Sequence, residues 1–258
     1  LTRFVFNQEF VLSDHARARN YIVSPVESKC TTCSLRELCL PVGLDEDETE
    51  LLGDLINHKY RIRRGEHLFH AGLAFKSLYA VRNGFFKSCV LDSDGHQQVT
   101  GFYMTGELLG LDAISSEKHT CDTVALEDSE VCEVPFPKLE EISRSIPLLM
   151  HHFHKIMSRE IVQDHTIMML MGGRKAEERL AAFLLNLSER FAKRGYSPTN
   201  FILRMTREEI GSYLGLKLET VSRSLSRLQE EGIITINNKH VRLNDIYRLG
   251  RKICSFPD

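Results

Sequence analysis

The spacing of hydrophobic positions changes along the chain, and each change marks a different kind of element. Leu44-Asp-Glu-Asp-Glu-Thr-Glu-Leu51-Leu52 opens acidic and runs into Leu55 and Ile56. This predicts a helix with carboxylates in its first turn, where the helix dipole favours them. Leu51, Leu52, Leu55 and Ile56 would face inward, and the helix would end by Lys59. From Tyr60 to Pro135 the pattern shortens to β-like runs separated by glycine turns roughly every ten residues, which predicts an antiparallel barrel or roll. Leu78 to Val81, Phe85 to Val90 and Glu130 to Val134 are its clearest strands, rich in β-branched and aromatic residues, and Asp94-Gly95 suits a hairpin turn.

A long helix is predicted from about Pro147 to Met171, with proline in its first turn, where a missing N–H costs nothing. Met150, Phe153/His154, Met157, Ile161, Asp164, Met168 and Met171 recur alternately at three and four residues, the spacing of a coiled-coil seam. Two readings stay open. The face packs on the same chain's β-roll with Asp164 turned to water, or it is a two-fold dimer seam. In the second case two copies of Asp164 approach in a partly dry setting and repel, while Ile161 and Met168 favour association. Such a dimer is poised so that a signal of a few kcal/mol shifts it.

Lys175 to Arg194 is a further amphipathic helix, with Leu180, Phe183, Leu184, Leu187 and Phe191 on one face and Gly195 as its stop. Thr206-Arg-Glu-Glu209 is a capping box opening a short helix with Ile210 and Leu214. Gly215 makes a turn, and Leu218 to Leu228 forms a second helix locked by Val221, Leu225 and Leu228. Ile233 to Ile236 and His240 to Leu243, joined through Asn237-Asn238, read as the wing of a winged helix-turn-helix. Glu219, Ser222, Arg223 and Arg227 remain outward. Arg223 suits guanine O6 and N7, Glu219 suits cytosine N4, and Ser222 suits either role. Lys217, Ser224 and Ser226 are set to reach phosphates.

Composition supports this division. With 42% hydrophobic and 26% charged residues in 258, the chain can form two globular domains. The net charge of −2 conceals an asymmetry: residues 172–258 carry sixteen Lys and Arg against ten Asp and Glu, and residues 1–171 carry seventeen against twenty-five. A basic C-terminal part on an acidic body suits a polyanion met at one end only. No apolar run reaches the roughly eighteen residues of a membrane span. Leu1 to Phe10 is interrupted by Arg3, Asn7 and Glu9, so no export signal is expected and the cytoplasm is. Residues 1–29 have no clean period beyond a short helix around Asp14 to Tyr21 and are expected to form an arm.

Cys30-Thr-Thr-Cys33-Ser-Leu-Arg-Glu-Leu-Cys39 gathers three of the seven cysteines into ten residues. Thiolates so spaced can converge on a soft metal or an iron–sulfur cluster, and structural zinc is the competing ligand set. In a reducing cytosol, and with an odd total, disulfides are disfavoured. A redox enzyme is the remaining alternative, but no Gly-rich nucleotide loop or nucleophile–base pattern supports it.

Taken together the chain resembles the CRP/FNR superfamily of bacterial transcription regulators, and within it the FNR-type oxygen sensors. The likeness runs from Cys30 to about Leu243. It is carried by Cys30-x2-Cys33-x5-Cys39, by Ile161 and Asp164, by Ala176-Glu-Glu-Arg-Leu-Ala-Ala-Phe183, and by Glu219-Thr-Val-Ser-Arg223. It implies a non-enzymatic α+β protein: an N-terminal arm and cluster-binding loop (1–46), a β-roll sensory domain (47–145), a dimerisation helix (146–172) and a winged helix-turn-helix (173–258). It further implies a 4Fe-4S cluster held without oxygen and a homodimer on palindromic double-stranded DNA with TTGAT-like half-sites. Recruitment of RNA polymerase, hence activation, follows from the same resemblance. Asp92 to Gly95 corresponds to a polymerase-facing surface, with a plain hairpin turn as the equal alternative. The family's fourth ligand stands in a Val-Cys-Glu-(Ile/Val)-Pro-Phe context, which Val131-Cys132-Glu-Val-Pro-Phe136 matches; Cys121 is the lesser candidate. Ser34 and Leu38 resemble residues that limit access to the cluster. Cyclic-nucleotide regulators share Gly106-Glu107-Leu108, but Thr120-Cys-Asp-Thr-Val-Ala-Leu126 lacks their phosphate-binding arginine, and Asp122 is expected to repel a phosphate, so no cyclic nucleotide is expected. A winged-helix regulator with structural zinc and a constitutive dimer is the alternative function.

Overall fold

The structure is a computed structural model of the chain, and it describes residues 22–24, 30–36, 38–56, 58–91 and 95–253. The helix expected around Asp14 to Tyr21 lies outside the described residues, as do Asp92 to Asp94 and Cys254.

Two antiparallel sheets form a β-roll. Five strands, β1 (Ile22–Ser24), β2 (Lys59–Ile62), β4 (Ser77–Asn83), β7 (Leu108–Leu109) and β9 (Ser129–Pro135), lie in the order β1-β2-β9-β4-β7. Four more, β3 (His67–Phe69), β5 (Phe85–Leu91), β6 (Gln97–Met104) and β8 (Asp122–Ala125), lie in the order β3-β8-β5-β6. The predicted strands are all present. The arm, expected to have no fixed structure beyond a short helix, also contributes a strand, because Ile22 to Ser24 pair with β2 at Lys59 to Arg61.

Helix α1 (Glu46–Leu55) begins at a capping box in which the Asp45 side chain accepts from the Glu48 N–H and the Glu48 carboxylate accepts from the Asp45 N–H. Leu52, Leu55 and Ile56 are buried as expected, whereas Leu51 is half exposed. Thr49, Leu52 and Leu55 form the buried face, centred on Leu52, and Leu51 stands about 100° from that centre, at its margin. An additional helix, α2 (Phe136–Ser145), follows β9 directly, with Pro137 in its first turn and Leu139 buried. The long helix α3 runs Pro147–Gly173, two residues beyond the expected end.

After α3, α4 (Ala176–Lys193) buries Leu180, Phe183, Leu184 and Leu187. The helix-turn-helix comprises α5 (Arg207–Leu214) and α6 (Leu218–Glu230), joined at Gly215 in the left-handed region, φ 62°. Its α5 carries the predicted capping box between Thr206 and Glu209. The wing, β11 (Ile234–Asn237) and β12 (His240–Leu243), gains a third strand in β10 (Asn200–Ile202), and α7 (Ile246–Ile253) closes the chain against α4.

The core is not partitioned at α3. Phe85, Val99, Phe102 and Met104 of the β-roll share one buried cluster with Phe183, Leu187, Tyr213 and Leu214. Phe102 lies 5.1 Å from Tyr213 and 6.0 Å from Phe183, ring centre to ring centre. Lys87 Nζ sits 2.9 Å from Glu209 Oε1, and the Val99 N–H donates to Ser212 Oγ at 2.8 Å.

Polar groups fix the same interface at Glu107. Its carboxylate accepts from Arg190 Nη2 at 2.6 Å, from Arg194 Nη2 at 2.5 Å and from the Met104 N–H at 3.0 Å. Burial alone would raise its pKa, but the two guanidiniums outweigh burial and hold it below the ordinary glutamate value. A turn shared with cyclic-nucleotide regulators therefore clamps the β-roll to α4. Replacing Glu107 by Gln leaves two mostly buried guanidiniums without a counter-charge, and urea melts are expected to show a loss of about 3 kcal/mol. Because the folded pKa is depressed, the difference from wild type is full above about pH 4.3 and shrinks as pH falls below it.

Candidate functional site

The cysteine loop is a succession of tight turns. Cys30–Thr32 is a single 3-10 turn, the Cys33 N–H donates to the Cys30 carbonyl at 3.2 Å, and the Cys39 N–H donates to the Leu35 carbonyl at 3.0 Å. Arg36 ties the loop to the start of α1 by donating to the Leu44 carbonyl at 2.6 Å. Leu40 is fully buried beyond the third cysteine. Cys132 comes from β9, a strand interior to the sheet, where it pairs with Lys59 and Ala80. Cys30, Cys39 and Cys132 are half-buried against one apolar cluster that contains Leu40, Leu52 and Leu55 and also Leu149 and Phe153 of α3.

Their titration reflects that setting. Burial pushes the Cys30 thiol up to about 12, with the negative charges of Cys132 and Cys33 adding to the effect. Burial likewise pushes Cys39 up to about 12, opposed by a backbone hydrogen bond near Leu40 and reinforced by Cys132, Cys30 and Cys33. Cys132 rises to about 11, from burial, with Lys59 and Arg82 opposing. These three are neutral thiols at neutral pH, and a bound cation is what would draw off their protons. The mutual repulsion also means that Cys30, Cys33, Cys39 and Cys132 share one locality. The other described cysteines lie elsewhere. Cys121 is buried beside Asp112, and Cys89 is buried and accepts from Gln97 Nε2 at 2.9 Å.

The donor set suits a soft centre. Four thiolates can serve a closed tetrahedral zinc or the irons of an iron–sulfur cluster alike. Ser34 is exposed on the loop, while Leu38 is half-buried against Gly106. Gly106 has φ 88°, and a Cβ there would lie 3.0 Å from Leu38 Cβ, so only glycine lets the loop approach this closely. Leu38 and Cys39 face a cleft of about 730 Å³ whose far walls are Ile156 and Glu160 of α3 and Arg190 of α4.

The surroundings of α3 change along its length. Phe153 is buried and Met150 and Met157 half-buried against the chain's own roll, whereas Ile161 (55% exposed), Met168 (67%) and Met171 lie open. Asp164 sits in that open stripe, and reduced solvation raises its carboxyl above the ordinary aspartate value. One turn earlier, Glu160 is raised to about 7 by burial and by the charge of Glu107. The sequence signal for Glu160 is a like-charge pair, Glu160 and Asp164, four residues apart on one helix.

Glu160, Asp164 and Asp112 line a cavity of about 520 Å³ between α3 and the roll, and among the described residues no Lys or Arg lines it. Cys121 and Thr123 point into this cavity, while the alternation of β8 turns Asp122 the other way, onto the Ala71 N–H at 2.8 Å. The repulsion expected from Asp122 therefore does not arise in the cavity; Asp112, Glu160 and Asp164 are the carboxylates there.

On the output side, Glu219, Arg223, Ser226 and Lys217 are exposed along α6 and its approach. Ser222 is half-buried and accepts from Arg207 Nη1 at 3.3 Å, and Arg227 reaches Glu177 at 3.4 Å. Ser224 is buried, 9% exposed, so the expectation that it reaches a phosphate is corrected: it lies between Val221 and Leu225 on the inner face.

Comparison with known proteins agrees with this geometry. Residues 178–252 match the Crp-like helix-turn-helix domain, and residues 59–145 match the cyclic nucleotide-binding domain. The chain is 46% identical over 228 residues to the transcriptional regulatory protein btr of Bordetella pertussis, covering 88% of this chain and 94% of that protein. It is 45% identical over 216 residues to the fumarate and nitrate reduction regulatory protein of Escherichia coli, covering 84% and 86%. Among solved structures it is similar to FixK2 from Bradyrhizobium japonicum, with TM-score 0.69 and 30% identity, over 75% of this chain and 95% of that one. With a β-roll, a long helix and a helix-turn-helix in this order, and relatives at this identity over most of its length, the chain belongs to the CRP/FNR family of transcription regulators.

Proposed function

We propose that this regulator responds to oxygen through a 4Fe-4S cluster held by Cys30, Cys33, Cys39 and Cys132. The observation that carries the reading is the single apolar cluster receiving three of those thiols and the first turns of α3. Bound there, a cluster would supply oxygen-labile iron–sulfur chemistry, with Cys30, Cys33 and Cys39 of the loop and Cys132 of β9 as the residues that would hold it. The residues of the chain do the rest. Ligation fixes the loop against Leu52, Leu55, Leu149 and Phe153, and so fixes the start of α3. Ser34 and Leu38 limit access to the site. Met157, Ile161 and Met168 then close a two-fold seam with a second copy, against the repulsion of two Asp164 carboxylates. Without the ordered loop, Asp164 prevails and the homodimer separates.

In the dimer, two α6 helices read a palindrome of TTGAT-like half-sites, through Glu219, Ser222 and Arg223. Losing one helix removes about half the contacts and collapses specific affinity. Recruitment of RNA polymerase, involving the surface around Gly95, completes the activator reading, and DNA and polymerase together imply the cytoplasm. Cyclic nucleotides are not ligands in this account, since three carboxylates and, among the described residues, no cation line the cavity.

Anaerobically purified Cys132→Ser protein is expected to lose the broad absorbance near about 400 nm typical of iron–sulfur centres and to sediment as monomer. Retained absorbance with normal dimerisation would remove Cys132 from the ligand set. Asp164→Ala is expected to tighten the aerobic dimer at least tenfold, roughly 1.4 kcal/mol, in sedimentation equilibrium. Arg223→Ala should cost about 1–3 kcal/mol on the operator and relax preference at one base pair, whereas Lys217→Ala should weaken all sequences alike and lower the salt slope by about one. Gel-shift titrations across salt and operator variants separate the two.

A further inference from the structure

We propose that His67, His70 and Asp122 form a second metal site on the outside of the β-roll, for a late first-row divalent cation such as Ni²⁺ or Zn²⁺. One ligand atom from each lies within 4.8 Å of the others. His67 Nε2 is 3.8 Å from Asp122 Oδ2, and His70 Nδ1 is 3.5 Å from Asp122 Oδ1. Donors 2.0–2.2 Å from a tetrahedral ion stand about 3.4 Å apart, so closing this set takes small side-chain shifts together with a turn of the stacked imidazoles, whose lone pairs lie in their ring planes. Two imidazoles and one carboxylate with solvent-open positions suit such ions and suit Mg²⁺ or Ca²⁺ poorly.

The backbone builds the arrangement. Residues three apart on a regular strand point to opposite faces. Here His67 pairs with Val124 and Phe69 with the adjacent Thr123, a register shift that leaves Leu68 as an extra residue. A bulge of this kind re-aims side chains. It brings the His67 and His70 rings face to face, 4.2 Å apart at 27°. Asp122 is oriented by the Ala71 N–H at 2.8 Å, which fixes one carboxylate oxygen while the other faces His67. His70 is exposed, so an ion can enter and keep water ligands.

The site is separate from the cysteines, because β3 and β8 belong to the four-stranded sheet and Cys132 to the five-stranded one. β3 is an edge strand, and Asp122 sits between Cys121 and Thr123, which line the cavity under α3. A bound ion would clip that edge to β8.

The test is Ni²⁺ binding to the full chain by equilibrium dialysis with metal analysis, comparing wild type with His70→Gln, Asp122→Asn and Cys33→Ser. His70→Gln and Asp122→Asn are each expected to lose one bound ion per chain, or at least tenfold in affinity for it, while Cys33→Ser keeps that ion. Ni²⁺ should raise the melting temperature of wild type and Cys33→Ser but not of His70→Gln, whose exposed position leaves folding intact. Unchanged stoichiometry and affinity in both His70→Gln and Asp122→Asn, or loss of the ion in Cys33→Ser instead, would overturn the proposal. Neither result bears on oxygen-labile iron at the cysteines.

Discussion

The constraint on which the account rests is that the cysteine loop has no core of its own. Leu40 and Leu44 are buried in a cluster that also contains Leu52, Leu55, Leu149 and Phe153, the last two belonging to the long helix. The polar part of the loop satisfies itself with local turns, so its order depends on that borrowed apolar surface and on whatever its thiols bind. The cysteine loop and the start of α3 therefore share one set of contacts, and a change in one is felt by the other without a long relay.

Farther along α3, the balance is electrostatic. Ile161 and Met168 present apolar area that gains by association, while Glu160 and Asp164, raised by desolvation, resist further drying. Close packing on the roll at Phe153 gives way to an open stripe by Ile161, so the helix is anchored at its start and available at its middle. Beyond it, Glu107 gripped by Arg190 and Arg194, together with the Phe102, Phe183 and Tyr213 cluster, holds the DNA-binding part against the roll in the single chain.

Much of this was legible in the sequence because local chemistry carried it. The Thr206/Glu209 box, Gly215 and the burial of Val221, Leu225 and Leu228 are near-neighbour features that periodicity reports directly. What escaped depends on contacts distant along the chain. Glu107 is a turn residue until α4 supplies its arginines, eighty-three residues on. Pairing of Ile22 to Ser24 with β2 needs a partner strand that no local pattern reveals. Which cysteine joins Cys30, Cys33 and Cys39 likewise could not come from spacing; resemblance pointed to Cys132, and β9 brings it into their locality. Leu51 and Ser224 stand at the margins of their helices' buried faces, where periodicity alone does not decide between core and solvent.

In the proposed function, one oxygen-labile group at the cysteines sets the association of α3. The most direct measurement is sedimentation velocity of the wild-type chain, with absorbance recorded in the same cell, before and after admission of air. Loss of iron–sulfur absorbance should accompany conversion from dimer to monomer with matching time courses. A colourless anaerobic protein, or a dimer that persists unchanged after the absorbance has gone, would contradict the account.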